Sequence, residues 1–338
     1  MAELNYLKLD QALVLESGRE LSNVVIAYHT FGKLNEEKSN VVWIIHALTA
    51  NANPLEWWPG LVGEGSVIDP AEYFIVCANV LGSHYGSTCA LHENPRTGKP
   101  YYHDFPMLTI RDLIKPYETL ADHLGLNKIK LLIGASLGGQ QAMEWAIKNP
   151  LKFDKLALLA TNANHSPWGI AFNESQRMAI EADQSWYKNY PDAGIDGMKA
   201  ARSIALLSYR TIDGYNITQK EEIPKIESFK ASSYQRYQGQ KLADRFNAFS
   251  YHLFTRCMDS HDVGRGRTSR EEALSRIKAK TTIIGIESDI LFPVTEQAYL
   301  HECIKDSKFY KISSKFGHDG FLVEKEQVGN IIRETLEN

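Results

Sequence analysis

The sequence has little of what would set it apart from an ordinary globular protein. It contains 4 cysteines in 338 residues, widely spaced, with no Cys-x-x-Cys pair and no histidine at zinc-ligand spacing. No apolar run approaches the roughly 20 residues that cross a bilayer, and the N-terminus lacks the basic and then apolar pattern of a secretory signal. We therefore expect a cytoplasmic protein with free thiols, no metal site and no membrane partner.

Basic residues are also too few to suggest a nucleic-acid-binding protein. The 37 lysines and arginines are outnumbered by 41 aspartates and glutamates, which leaves a formal charge of −4. Aromatic residues are not interleaved with the basic ones in any stretch either. The chain therefore lacks both the positive charge and the stacking residues that bind nucleic acid. Small-molecule substrates are the expected partners.

Short apolar runs separated by helical patterns indicate an α/β fold. Runs without polar alternation are typical of parallel strands buried on both faces, and they occur at 41–45, 73–77, 130–133, 155–160, 281–286 and 308–312. Helical spacing is found at 109–124, 137–148 and 324–336, while 12–30 alternates as antiparallel strands do. The order predicts a doubly wound, mostly parallel sheet.

One long segment departs from this alternation. Residues 166–273 are rich in Tyr, Gln, Arg and Ala at helical spacing, with no convincing strand pattern. The sequence therefore predicts a core made of residues 1–165 and 274–338, with residues 166–273 inserted as a helical cap.

The strongest chemical signal lies where the 130–133 strand ends. Gly134-Ala135-Ser136-Leu137-Gly138 links that strand to a helix, which is the nucleophile elbow of the α/β-hydrolase fold. Small residues flank Ser136 because the turn is sharp and strained. The beginning of the following helix presents free N–H groups that favour a negatively charged oxygen.

A serine nucleophile needs a general base and a group that orients the base. In this fold the acid and then the histidine follow the serine, each in a loop after a strand. Asp289 follows the 281–286 strand and His318 follows the 308–312 strand. We predict these two residues as the triad partners of Ser136, with Glu287 as a weaker alternative for the acid.

The oxyanion hole requires two backbone donors. The N–H of Leu137 supplies one, and the loop His46-Ala47-Leu48-Thr49 after an early central strand should supply the other. Leu48 is the first candidate and Thr49 the alternative, while His46 is expected to orient the loop rather than to carry protons.

Together these motifs resemble the homoserine O-acetyltransferases, acyl-CoA enzymes of methionine biosynthesis. The resemblance extends over nearly the whole chain. Its matched segments include Trp57-Trp58-Pro59-Gly60, Asn79-Val80-Leu81-Gly82, Asp104-Phe105-Pro106, Tyr237-Gln238-Gly239, His261-Asp262-Val263-Gly264-Arg265-Gly266-Arg267, Ser288-Asp289-Ile290-Leu291-Phe292-Pro293 and Gly317-His318-Asp319-Gly320.

The resemblance implies a ping-pong cycle through an acetyl-serine, with acetyl-CoA as donor, homoserine as acceptor, no permanently bound cofactor and a homodimer formed through the cap. Two departures are visible. The family usually has Gly-Gly-Ser-Met-Gly-Gly at the elbow, and its tyrosine near the Tyr-Arg pair has only Tyr215 as a candidate here.

An amino-acid acceptor needs a carboxylate for its ammonium group and a guanidinium for its carboxylate. Asp319 is predicted for the first role, and Arg210, which matches the family position, for the second. Arg177 is a further candidate substrate contact, and Arg265 and Arg267 could touch acceptor or CoA phosphates. For each of these residues a structural ion pair is the alternative explanation.

Three rival functions remain open at this point. Succinyl-CoA could replace the donor, or serine the acceptor. An esterase or thioesterase would use the same triad with water. A binding protein with this fold would need no triad.

Overall fold

A computed structural model describes residues 3–337, and a sheet of eight strands forms its centre. Two short ribbons, Leu13–Val14 with Glu20–Leu21 and Glu93–Asn94 with Lys99–Pro100, lie outside that sheet. In chain order the strands are Asn5–Lys8 (β1), Leu13–Val14 (β2), Glu20–Leu21 (β3), Val25–Phe31 (β4), Val41–Ile45 (β5), Phe74–Ala78 (β6), Glu93–Asn94 (β7), Lys99–Pro100 (β8), Ile129–Ala135 (β9), Phe153–Leu159 (β10), Lys280–Ile286 (β11) and Ser307–Ile312 (β12).

The sheet order is β1-β4-β6-β5-β9-β10-β11-β12. The six strands from β6 to β12 run parallel, and β4 and β1 add antiparallel pairs at one side. All six predicted strands are present, and the α/β-hydrolase fold class is confirmed. Five are mostly buried as predicted, whereas β12 lies at the edge of the sheet and is mostly half-buried or exposed. Strand β1 was not predicted, because its four residues alternate between half-buried and exposed and carry no apolar run.

Helices cover both faces of the sheet and form a separate group between β10 and β11. They are Pro54–Trp57 (α1), Ile110–His123 (α2), Leu137–Lys148 (α3), Pro167–Glu181 (α4), Ile195–Tyr209 (α5), Ile212–Thr218 (α6), Lys230–Ala243 (α7), Ala248–Asp259 (α8), Arg270–Ser275 (α9), Val294–Cys303 (α10), Gly320–Val323 (α11) and Lys325–Glu337 (α12). None of the helices within residues 3–337 is long and apolar enough to span a membrane.

The sheet separates two apolar cores. In β5 the indole of Trp43 points to one side, where it meets Trp145 of α3 at 5.0 Å between ring centroids. Val42 and Ile44 point to the other side, whose core also contains Trp58. Burial on both faces removes water from the central strands, which explains their unbroken apolar sequence.

The six helices α4–α9 occupy the segment predicted as a cap, and α9 ends two residues beyond the predicted boundary. We call residues 166–273 the cap segment. Its first residue follows a point where the chain pairs with residues 261–263, since the N–H of His165 donates to the carbonyl of His261 at 2.9 Å and the N–H of Val263 donates to that of Ala163 at 2.9 Å. Helices α4–α8 therefore begin and end beside one place, and α9 follows the return of the chain.

Candidate active site

Ser136 lies in a left-handed turn between β9 and α3. Its φ of 55° and ψ of −125° are unusual for a residue with a side chain. The turn brings backbones into contact, because a Cβ added to Gly138 would lie 2.2 Å from the carbonyl oxygen of Ile45, and one added to Gly134 would lie 2.3 Å from that of Gly138. The small flanking residues are thus a steric requirement of the turn.

Hydrogen bonds on both sides hold Ser136 in this conformation. Its N–H donates to the carbonyl of Leu159 at 3.0 Å, and its carbonyl accepts a bond from Oγ1 of Thr161 at 2.9 Å. Gln297 of α10 in turn donates to the carbonyl of Thr161 at 2.7 Å. The sequence analysis does not identify Thr161 or Gln297. For Thr161 the only signal is its place in a polar pair, Thr161-Asn162, directly after strand β10.

Asp289 and His318 meet in the loops after β11 and β12. Nδ1 of His318 lies 2.6 Å from Oδ2 of Asp289. The other oxygen, Oδ1, accepts the N–H groups of Leu291 at 2.8 Å and Phe292 at 2.9 Å. The alternative acid, Glu287, is exposed. Asp289 is therefore the carboxylate that orients the imidazole.

The environment of His318 favours its protonated form. Burial alone lowers the pKa of the imidazole, but the charge and hydrogen bond of Asp289, together with the charge of Asp319, outweigh it and raise the pKa above 6.5. The ring of Phe292 stacks against His318 with centroids 5.1 Å apart, which fixes the plane of the imidazole. A base of raised pKa accepts a proton readily.

Ser136 and His318 line one cavity of about 430 Å³. Leu48, Thr49 and Asp319 line it as well. Leu137 is the first residue of α3, and within the described part of the chain the N–H groups of Leu48, Thr49 and Leu137 have no acceptor. The predicted nucleophile, base and oxyanion donors are thus brought to one place, with amides available for a negatively charged oxygen.

His46 is buried beneath the loop of Leu48. Its Nε2 accepts the N–H of Val80 at 3.0 Å, and its Nδ1 donates to the carbonyl of Ala47 at 2.8 Å. Burial lowers its pKa to about 4. A neutral imidazole with both nitrogens occupied orients the loop, as expected from the sequence.

Arg210 and Asp319 form an ion pair beside the cavity. Nε of Arg210 lies 2.9 Å from Oδ2 of Asp319, but its N–H is not directed at that oxygen. Asp319 lines the cavity that contains Ser136, whereas Arg210 lines a second depression together with Tyr215. The hydroxyl of Tyr215 donates to Gln235 at 3.0 Å.

The other predicted arginines lie elsewhere. Arg177 is outside the Ser136 cavity, and its guanidinium contacts Glu174 at 2.5 Å and Asp259 at 2.6 Å. This corrects the expectation that Arg177 contacts substrate, because its charge is already neutralised within the cap segment. Arg265 pairs with Glu16 at 2.8 Å and Arg267 with Glu144 at 2.7 Å, so both join the end of the cap segment to the core.

Three cations that the sequence did not single out do line the Ser136 cavity. They are Arg202 of α5, Lys241 of α7 and Arg245 just after α7. No local motif marks them, since only the packing of the cap segment over the sheet brings them to Ser136.

A family model and a homologous protein both match most of the chain. A family model described as the alpha/beta hydrolase fold matches residues 40–325. A homoserine O-acetyltransferase of Cyclobacterium marinum is 50% identical over 97% of this chain and 94% of its own length.

Solved structures match over the same extent. A homoserine O-acetyltransferase of Bacillus anthracis superposes with a TM-score of 0.92 at 24% identity, covering 100% of this chain and 98% of that one. An esterase superposes with a TM-score of 0.90 at 23% identity, covering 99% and 100%. At these identities both structures show only that the fold is shared. The shared fold does not distinguish a transferase from a hydrolase.

Proposed function

Because the chain belongs to the homoserine O-acetyltransferase family of the α/β-hydrolase fold, we propose that Ser136 carries the acetyl group from acetyl-CoA to the side-chain hydroxyl of L-homoserine. The observation that supports this assignment is the 2.6 Å contact between His318 and Asp289 at the cavity that also contains Ser136. The family uses acetyl-CoA as a substrate in the biosynthesis of methionine.

In the first half-reaction Oγ of Ser136 attacks the thioester carbon while Nε2 of His318 takes its proton. The carbonyl oxygen becomes an oxyanion, which the N–H groups of Leu137 and Leu48 stabilise, with Thr49 as the alternative to Leu48. The carbon–sulfur bond then breaks, and the imidazolium returns the proton to sulfur. CoA leaves as the thiol, and acetyl-Ser136 remains.

In the second half-reaction the hydroxyl of homoserine attacks acetyl-Ser136. His318 takes the hydroxyl proton, the same amides stabilise the oxyanion, and the bond to Oγ breaks as Ser136 recovers the proton. Asp289 stays ionised throughout, since its role is to hold the imidazole and stabilise its positive charge. The product is O-acetyl-L-homoserine.

The pair formed by Arg210 and Asp319 suits the charged end of the acceptor. An amino acid presents an ammonium and a carboxylate side by side, and these two residues present the opposite charges 2.9 Å apart next to His318. We propose that Asp319 receives the ammonium group and that Arg210, whose Nε lacks an aligned acceptor, receives the carboxylate.

The cap segment is proposed to make the site a transferase rather than a hydrolase. Arg202, Tyr209, Lys241 and Arg245 of that segment line the cavity over Ser136, and a cover that limits water lets the acceptor hydroxyl compete for the acyl-enzyme.

The test uses purified protein with acetyl-CoA or succinyl-CoA, with and without homoserine or serine, while free thiol is followed. Thiol release from acetyl-CoA that depends on homoserine supports the proposal. Release without any acceptor would instead establish a thioesterase, and a preference for succinyl-CoA or serine would change the substrates. Intact mass should show an acetyl adduct on the protein, and Ser136→Ala should lose both the adduct and the turnover.

A homodimer through the cap segment is proposed as the assembly. Around α6, Ile212 and Ile226 have 81% and 95% of their surface exposed, and Leu207 and Ile217 are exposed as well. Exposed apolar residues close together along the chain suit an interface between subunits. Light scattering should give twice the chain mass, and Ile212→Lys with Ile217→Lys should give the single mass, whereas Leu151→Lys on the core should not change it.

A further inference from the structure

The segment Asn79-Val80-Leu81-Gly82 has no part in the mechanism above, although it is one of the matched segments. It directly follows β6, whose parallel neighbour β5 leads into residues 46–52. We call residues 46–52 the oxyanion loop, because they include Leu48. Neighbouring parallel strands end at the same edge of a sheet, and the N–H of Val80 donates to Nε2 of His46 at 3.0 Å. The two loops are therefore in contact.

The direction of the Leu48 N–H is set by the carbonyl of Ala47. That carbonyl accepts Nδ1 of His46 at 2.8 Å and the N–H of Ala50 at 3.1 Å. The Ala47 carbonyl and the Leu48 N–H belong to one planar peptide group, in which they point in opposite directions. Two bonds that fix the carbonyl therefore also fix the N–H.

The hydroxyl of Tyr85 holds the next part of the oxyanion loop. It donates to the carbonyl of Thr49 at 3.3 Å, and that carbonyl shares a peptide group with the N–H of Ala50. Nη1 of Arg245, from the cap segment, donates to the same carbonyl at 2.5 Å and contacts the hydroxyl of Tyr85. The peptide group between Thr49 and Ala50 is thus held on one side by these donors and on the other by the carbonyl of Ala47.

The side chain of Asn79 joins the end of the oxyanion loop to Tyr85. Asn79 is 1% exposed. Its Oδ1 accepts the N–H of Ala52 at 2.8 Å, and its Nδ2 donates to the carbonyl of Tyr85 at 2.7 Å. Asn79 and Tyr85 both lie outside the set of residues that line the Ser136 cavity. They therefore act on the loop and not on a substrate.

We propose that Asn79 and Tyr85 are positioning residues that hold the oxyanion loop where the N–H of Leu48 meets the oxyanion. The inference rests on the proposed function, in which this N–H acts together with that of Leu137. Loss of a whole oxyanion donor lowers kcat by roughly 10²–10³-fold, so a displaced donor should have a measurable effect. The same amides serve both half-reactions, and both should be slowed.

Two variants displace the loop to different extents. Asn79→Ala removes the bonds to Ala52 and to the backbone of Tyr85. Tyr85→Phe removes only the hydroxyl and keeps the ring, which packs against Phe246 with centroids 5.8 Å apart. The second variant is the milder one and decides the test if Asn79→Ala does not fold.

Each variant has a matched control away from the site. Asn40 precedes β5 and donates to the carbonyls of Lys33 and Glu72 at 2.9 and 3.0 Å, so it joins two loops at the opposite ends of β5 and β6. Asn40→Ala is the control for Asn79→Ala. The hydroxyl of Tyr310, on the edge strand β12, donates to a carboxylate of α12 at 2.8 Å. Tyr310→Phe is the control for Tyr85→Phe.

The first measurement is kcat/KM for acetyl-CoA and for homoserine, which report the first and the second half-reaction of a ping-pong cycle. Asn79→Ala should lower both values by about tenfold, and Tyr85→Phe should lower both by about threefold. The two control variants should keep the wild-type values. A residue that contacted only one substrate would lower only one of them.

The second measurement uses dithioacetyl-CoA, in which sulfur replaces the carbonyl oxygen of the donor. Sulfur accepts hydrogen bonds weakly, so the oxyanion donors accelerate attack on this compound less. The wild-type preference for acetyl-CoA over dithioacetyl-CoA should therefore shrink in Asn79→Ala and in Tyr85→Phe. A variant that is merely less stable would lose activity equally with both donors and keep the preference.

An unchanged preference in Tyr85→Phe, or a loss confined to one half-reaction, would overturn the positioning role while homoserine-dependent transfer by the wild-type protein remained intact. Thiol release by the wild-type protein without homoserine would instead overturn the proposed function. The comparison of the two donors would still test the oxyanion loop in that case, because a thioesterase forms the same first oxyanion.

Discussion

Ser136 occupies a backbone conformation that costs roughly 1–3 kcal/mol for a residue with a side chain. The bonds from its N–H to Leu159 and from Thr161 to its carbonyl offset that cost. In the proposed mechanism the strain has a chemical use, because the turn exposes Oγ to the cavity while the first amide of α3 stays free for the oxyanion.

Asp289 should be needed for its charge and not merely for its shape. Asn in its place would accept the same backbone bonds but would not stabilise the imidazolium or keep the correct tautomer. We expect Asp289→Asn to lower kcat by roughly 10³–10⁴-fold. Glu287→Gln, which changes an exposed carboxylate two residues away, should leave kcat unchanged. Similar losses in both variants would contradict the assignment.

The acid limb of the pH profile should reflect the raised pKa of His318. In the proposed mechanism the neutral imidazole is the base, so activity should be lost as the pH falls through that pKa, and a raised pKa places the loss above pH 6.5. Removing the charge in Asp319→Asn lowers the pKa, so the limb of kcat/KM for acetyl-CoA should move to lower pH. The same variant should raise KM for homoserine. A limb that stays in place would argue against the electrostatic role.

The meeting of side chains at the candidate site could be predicted where a local pattern or a fixed chain order marks the residues. Ser136 follows from its turn, and Asp289 and His318 follow from the positions after two strands. Arg177 was misjudged because its neutralising partner, Asp259, is distant along the chain. Lys241 was missed because no motif surrounds it.

At the level of elements, the contact between the nucleophile turn and β5 leaves no room for a side chain at Gly138. We expect Gly138→Ala to push the turn away from Ile45, to lower the free energy of unfolding by about 3 kcal/mol and to abolish most activity.

The control for this prediction is Gly329→Ala in α12, where the added Cβ meets Val67 at an ordinary 3.4 Å. Alanine favours a helix over glycine by about 1 kcal/mol, so this variant should keep activity and lose no stability. Urea unfolding and the thiol assay measure both variants. A Gly138→Ala protein with normal activity would show that the turn tolerates displacement.

Elements were predictable in proportion to their burial. Strands such as β5 are buried on both faces and carry apolar runs, and the amphipathic α2 begins at a capping box formed by Thr109 and Asp112. Strand β1 and the ribbon β7–β8 were not predicted because such short pairings leave no apolar run in the sequence. The ribbon β2–β3 lies within residues 12–30, whose alternation does predict antiparallel strands.

For the molecule as a whole, a charged cluster joins the end of the cap segment to the core. The carboxylate of Glu144 is buried and contacts Arg267 at 2.7 Å and Arg111 at 3.1 Å. Glu144→Gln would leave both guanidinium groups without full compensation, so the free energy of unfolding should fall by about 3 kcal/mol.

Asp154→Asn is the matched control, since its pair with Lys128 is exposed and should contribute less than about 1 kcal/mol. Urea titrations of the two variants give the comparison. Equal stability in both would mean that water or other groups compensate the arginines.

The bonds from His165 to His261 and from Val263 to Ala163 place residues 163–165 beside residues 261–263. The stretch between them, which contains helices α4–α8, is therefore exchangeable in principle. A chimera could replace it with the corresponding stretch of an esterase without moving any strand. The nucleophile would then come from this protein, and the preference for water or an alcohol as acceptor would come from the esterase. Diversification of the fold can therefore proceed by grafting, with the catalytic strands left untouched.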